Sequence, residues 1–287
     1  MNTEKTDIYQ EVTDRIVAAL ESGNAPWLKP WKDGKAGSVN EPHNAVTGRR
    51  YNGINWLVLN CMPYASNGWL TYKQAVELGG NVRKGEKGVH IVFWQFNKRK
   101  DEKTGELKVI PFAKGYTVFN VEQCENLDPA KVKMPDPPVT GATSINALAA
   151  QVGAIVTHGG NRAYYSPARD FIAMPSADDF KTLDHYQSTL AHELTHWTGH
   201  EGRCKRDFSG RFGNAAYAFE ELIAEMGSAF ICAQYGIALE GLQHSNYIAS
   251  WLETLKGDKR AIFTAASKAK EAATFLLADR EDEALAA

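Results

Sequence analysis

Two histidines and a glutamate fall within five residues, His192-Glu193-Leu194-Thr195-His196, and their spacing specifies a chemistry. On a helix, residues four apart differ by about 6 Å of rise and about 40° of rotation. His192 and His196 then share a face and can grip one ion. Glu193 falls on the adjacent flank, where its carboxylate can take a proton from water as a general base. Zinc suits two imidazoles and a carboxylate, and supplies carbonyl polarisation and an acidified water. Manganese or another divalent ion fits the same donors. Chance puts such a run in roughly one or two chains per hundred of this composition, so the surrounding elements must carry the case.

A third ligand has to come from elsewhere. Six residues beyond His196 the chain has Gly202, not histidine, and His200 is out of register. A later acidic run, Glu220-Glu221-Leu222-Ile223-Ala224-Glu225, lies in an otherwise apolar stretch. Glu221 and Glu225 share a helical face, so one can bind metal while the other orients a ligand histidine from behind. We assign Glu221 as ligand and Glu225 as the orienting group, and read Glu220 as a solvated flank. His185 lies on nearly the same face as His192 and is expected to line a cleft or sit on the helix surface rather than bind metal. Tyr217 stands one turn before Glu221, within reach of an oxyanion but more simply a packed aromatic.

The elements that must position these groups are legible in outline. Ser176 can cap a helix running through Phe180, Leu183, Leu190 and Leu194 to Gly199, and Asn214 one running through Leu222 and Phe230 to Gly236. Helices are also expected at 145–152, 244–256 and 258–279. Ala163-YYSPARDFIAMP reads as a hairpin or edge strand. Upstream, apolar residues Ile8 to Leu20 recur at helical spacing, Thr71 caps a short helix, and Val89-HIVFWQF and Tyr116-TVFNV read as strands around a charged turn at 97–108. Four prolines within 126–142 mark a linker. The expected architecture is α+β in two domains, 1–128 and a mostly helical 142–287, joined by 129–141.

Composition excludes several classes. Cys61, Cys124, Cys204 and Cys232 stand far apart with no CxxC, which argues against a disulfide framework or a cysteine zinc ribbon. No apolar run approaches the ~18–20 residues of a membrane span, and the start is too polar for a signal peptide. The expected location is the cytoplasm, with no membrane partner. Residues 1–128 carry 17 Lys/Arg against 15 Asp/Glu, an offset too small to identify a partner.

Five of the seven Trp precede residue 97: Trp27, Trp31, Trp56, Trp69 and Trp94. They interleave with cations, and planar faces for bases beside charge for phosphates are what single-stranded nucleic acid binding needs. The candidate contacts are Arg49, Arg50, Tyr51, Trp56, Lys73, Arg83, Lys84, Lys87 and Trp94. Core packing is the competing use of the aromatics. The second half is expected to add little phosphate affinity; were it to contribute, Arg203, Lys205, Arg206 and Arg211 beside the histidine motif would supply the contacts.

The segments Ile8-YQEVTDRIVAALESG, Pro42-HNAVTGRRYNGIN and Trp69-LTYKQAVELGGNVRKGEKG resemble the N-terminal domain of the ArdC antirestriction family, and Tyr164-YSPARDFIAMP, Ala191-HELTHWTGH and Phe219-EELIAEMGSAF are similar to its zincin-like domain. The resemblance implies an N-terminal single-stranded DNA-binding domain and a C-terminal metallopeptidase-like domain. It implies protection of incoming plasmid DNA from host restriction during conjugation, with a protein substrate or a host restriction enzyme as a further partner. It also implies metal-site roles for His192, Glu193 and His196. In related zincins an Asp or Asn is commoner where Glu225 stands, so the choice between Glu221 and Glu225 stays open.

Overall fold

The computed structural model describes residues 7–23, 25–28, 41–100, 107–135, 143–208, 215–237, 239 and 247–278. Helix α1 (Ile8–Glu21) is followed by β1 (His43–Asn44), α2 (Ile54–Asn60), β2 (Gly68–Leu70), α3 (Tyr72–Glu77), β3 (Asn81–Val82), β4 (Val89–Lys100), β5 (Leu107–Asn120) and β6 (Cys124–Glu125). Then come α4 (Ile145–Gln151), β7 (Val156–His158), β8 (Tyr164–Ser166), β9 (Phe171–Met174), α5 (Leu183–Thr198), α6 (Ala215–Tyr235), α7 (Ile248–Gly257) and α8 (Ala261–Leu277). The protein is α+β, in two compact units.

The first unit comprises Met1–Ile8 and Glu41–Asp136. Its sheet has the order β1-β2-β5-β4, with β1 parallel to β2 and the remaining pairs antiparallel. The β4–β5 hairpin is longer than its apolar pattern suggested. Pairing runs from Val89↔Val118 to Lys100↔Leu107, so 97–100 and 107–108, half of the charged segment expected as a turn, are strand, and 101–106 lie outside the described residues. Helix α3 begins as expected, with Thr71 and Gln74 forming a reciprocal capping box.

The second unit comprises Tyr9–Asn40 and Pro137–Ala287, which departs from the expected division in two respects. Helix α1 buries Val12, Ile16, Val17 and Leu20 within the second unit, not the first. There Tyr9 meets Phe263 at 4.7 Å and the Thr13 hydroxyl donates to the Lys259 carbonyl at 2.8 Å. The described part of the expected linker is also not free. Lys133 N–H donates to the Ala45 carbonyl at 2.8 Å, and Val132 packs on the core formed by Ala45, Leu70, Ala75 and Leu78. Residues 136–142 lie outside the described residues.

A three-stranded sheet of order β7-β9-β8 flanks the second unit's helices, and its β7 was not expected from the sequence. The helix expected from Ser176 is two elements. Ser176 and Asp179 close a short 3-10 turn, and α5 starts afresh where the Thr182 hydroxyl accepts the His185 N–H at 3.0 Å. Asn214, expected to cap α6, lies outside the described residues. Helices α6 and α8 pack through small side chains, with Ala265, Ala266, Ala269 and Ala272 fully buried.

Candidate metal centre

Helix α5 turns Leu190, Ala191 and Leu194 into the core, and this burial fixes the rotation of the whole helix. His192, Glu193 and His196 are thereby buried too. Helix α6 faces them across a close crossing: a Cβ at Gly227 would lie 2.4 Å from the Thr195 Cγ2. Only the absence of a side chain at Gly227 lets the helices approach this nearly. The approach brings Glu220, Glu221 and Glu225 opposite the histidines.

Three donor atoms converge. The Nε2 atoms of His192 and His196 are 3.1 Å apart, and Glu221 oxygens lie 3.4 Å from the first and 3.5 Å from the second. Metal–donor bonds of about 2.0–2.1 Å in a tetrahedron imply donor–donor edges of about 3.3–3.4 Å. The triangle therefore fits a divalent ion, and among the described residues His192, His196 and Glu221 are the group able to hold one. Glu225 stands behind, its Oε1 3.7 Å from His192 Nδ1, an ion-pair separation rather than a hydrogen bond. His200 is not among the converging donors.

The expectation for Glu220 was wrong. It is buried, with Oε1 3.1 Å from His196 Nδ1, and is gripped by the Arg206 guanidinium, whose Nε lies 3.0 Å from Glu220 Oε2. Arg206 also donates to the Thr198 hydroxyl at 2.8 Å and to the Thr195 carbonyl. Each ligand histidine thus has a carboxylate behind its Nδ1. Arg203 is likewise engaged within the unit: it lies over the Trp197 ring at 3.7 Å, donates to the Trp197 carbonyl and pairs with Asp170. These two arginines do not present a phosphate track, and Arg211 lies outside the described residues.

The charges are strongly coupled. Burial pulls the His196 pKa down, but its bonds to Glu220 and Glu221 more than offset this and push it up to about 10. Burial raises Glu193, and the charges of His192 and His196 only partly counter it. Burial alone would raise Glu221, yet its bonds to His192 and His196 hold it well below the usual carboxylate range. The nearby backbone N–H of Tyr165, on strand β8, also pulls the Glu193 pKa down.

The donors open onto a cavity of about 990 Å³ lined by Tyr165, His185, Phe208, Tyr217 and Tyr247 among others. His185 lines it, as expected. Tyr217 is half-buried, and its hydroxyl bonds to both Tyr247 and Glu221. Nothing in the sequence signalled Tyr247.

In the first unit, Arg49, Lys73, Arg83, Lys84 and Lys87 are exposed. Lys73 and Arg83 pair with Glu77 and Glu86. Arg50 is half-buried against Glu41 at 2.9 Å. Tyr51 and Trp56 are core residues, so they cannot offer faces to bases; Trp69 is equally buried, and Trp27 is buried in the second unit against Trp251. The competing use of the aromatics prevails at these positions because bulky rings are what fill so small a core. The Trp94 side chain, Trp31 and the 29–40 cations lie outside the described residues.

Comparison with known proteins covers both units. Residues 6–119 match the N-terminal domain of anti-restriction factor ArdC, and residues 143–268 match a zincin-like metallopeptidase family. Uncharacterized protein y4eC of Sinorhizobium fredii is 40% identical over 96% of this chain and 94% of its own length. DNA primase TraC of Escherichia coli is 38% identical over 96% of this chain, which spans only 27% of that protein. Crystal structures of the antirestriction ArdC protein from the R388 plasmid superpose in metal-free form (TM-score 0.78, 44% identity, 94% of this chain and 96% of that one) and in Mn(II)-bound form (TM-score 0.77, 42% identity, 94% and 97%).

Proposed function

The chain belongs to the ArdC antirestriction family, and from that premise we propose that it binds single-stranded DNA through its first unit and carries a hydrolytic divalent-metal centre in its second. In this reading it protects plasmid DNA from restriction as the DNA enters the recipient cytoplasm during conjugation, and a protein is the substrate of the hydrolytic centre. The DNA part is supported by likeness to the DNA primase TraC and by the exposed cations of the first unit.

His192, His196 and Glu221 would hold the ion, and Glu220 and Glu225 orient the two imidazoles. Zinc is the proposed metal, with manganese supported by the Mn(II)-bound R388 relative. The ion supplies Lewis acidity toward water and a peptide carbonyl. Glu193 accepts the proton of the attacking water and returns it to the leaving amine, and the nearby Tyr165 N–H favours its carboxylate form. The Tyr217 hydroxyl faces the cavity where an oxyanion would develop.

One observation carries the hydrolytic reading: three protein donors converge on an open cavity that also contains Glu193. Structural zinc sites are closed by four protein ligands, whereas catalytic sites keep one position open. The test is Glu193→Gln, assayed for bound metal, for cleavage of a denatured protein with and without single-stranded DNA, and for plasmid transfer into a restricting host. The variant should keep its metal and lose cleavage by about 10²-fold or more. Undiminished cleavage would remove Glu193 from the mechanism, and full protection by the variant would separate antirestriction from hydrolysis.

A further inference from the structure

We propose that Phe93, Tyr116 and Lys114 form a base-stacking station for single-stranded DNA on the β4–β5 hairpin. The proposal rests on the DNA-binding reading above and gives it a location. Cross-strand partners share a sheet face, so the registers Ile91↔Tyr116 and Phe93↔Lys114 put Ile91, Phe93, Lys114 and Tyr116 on one side. Val89, Ile91 and Val118 are buried at the inner end of that face. Phe93 emerges from it 45% exposed.

A lone exposed phenylalanine would need no explanation, but this one is part of an arrangement. Its ring meets that of Tyr116 edge to face, centroids 5.3 Å apart at 90°. The exposed Lys114 ammonium lies 5.1 Å from the Tyr116 centroid. One ring offers a platform, the other a wall, and the cation stands where a phosphate between stacked bases would fall. A purely apolar partner would find charge there, whereas a polyanion with planar bases finds both complements.

The station is held rigidly. On the opposite face, a Cβ at Gly115 would lie 3.2 Å from Ile8 Cδ1, so that side is covered. At the β4 edge, the Asn55 side chain accepts the Val92 N–H and donates to the Val92 carbonyl, both at 2.8 Å. Sequence reading passed over Phe93 and Tyr116 because both lie in apolar strand runs and resemble core.

The test measures affinity of the full chain for labelled oligo(dT) and for an abasic strand of equal length, across a salt titration. Phe93→Leu should weaken oligo(dT) binding about tenfold or more with the salt slope unchanged, and Phe93→Trp should preserve it. Lys114→Ala should lower the slope by about 0.7. The abasic strand should not distinguish wild type from Phe93→Leu. Wild-type affinity in Phe93→Leu, or an equal loss on the abasic strand, overturns the station. If the wild-type chain itself fails to bind oligo(dT), the DNA reading fails and the station with it.

Discussion

Glu220 Oε1 lies 3.1 Å from His196 Nδ1, on the far side of the imidazole from the converging donors. The contact fixes the proton on Nδ1 and leaves Nε2 bare for metal. Glu220→Gln should therefore lower metal affinity by about 10–100-fold while the fold survives. Glu220→Ala should in addition cost about 3–5 kcal/mol of stability, since it leaves buried Arg206 without its carboxylate. Chelator competition and thermal unfolding of both variants check this. Equal metal affinity in Glu220→Gln and wild type would make the contact merely structural.

The assignment of ligand against orienting group gives a second expectation. Replacing His192, His196 or Glu221 singly with Ala should strip the metal, whereas Glu225→Ala should weaken it by about 10–100-fold. Metal content after dialysis decides. An empty site in Glu225→Ala with a filled one in Glu221→Ala would exchange their roles.

Metal binding should release protons. Without metal, His196 has a raised pKa of about 10 and is protonated at neutral pH, yet it must be neutral to bind. Affinity should then rise about tenfold per pH unit above neutrality and level off as the pH approaches that value. Calorimetric titration in two buffers of different ionisation enthalpy should show release of at least about one proton at pH 7.5, the His192 pKa being raised as well. Absence of proton release there would contradict a protonated His196.

The helix crossing predicts a coupled pair. Gly227→Ala places a Cβ against Thr195 and should cost about 1–3 kcal/mol, with loss of metal affinity as the two helices separate. Thr195→Ala removes the Cγ2 and Oγ1 that clash, so the double variant should recover part of both. Additive losses in chemical denaturation would show that the two positions do not meet.

Local pattern made α5, α6 and the placing of Glu221 and Glu225 on one helical face readable, because a four-residue spacing states its own geometry. Glu220 was misread because its partner, Arg206, is fourteen residues away and reaches it only through the tertiary fold. Tyr51 and Trp56 suit a stacking platform or a core equally well as residue types, and only packing distinguishes the two. Strand β7 escaped notice since three residues, half-buried at best, leave no periodicity. The ownership of α1 was likewise invisible: its apolar stripe says that it is covered, not by what.

That stripe has a consequence for how the chain can be divided. After Ile8 the chain enters the second unit's core with α1, leaves at Glu41 to build most of the first unit, and returns after Asp136, so the bulk of the first unit is inserted into its host. The N-terminal family match at 6–119 therefore carries a helix belonging to the host. Any protein that borrows the module alone must cover Val12, Ile16, Val17 and Leu20 with a surface of its own. A fragment ending at residue 128 should show α1 frayed by hydrogen exchange, whereas one beginning at Glu41 and ending near Asp136 should fold without it. A clean nick in the segment after Asp136 should not release the first unit from the second, because the crossings after Ile8 and before Glu41 still join them.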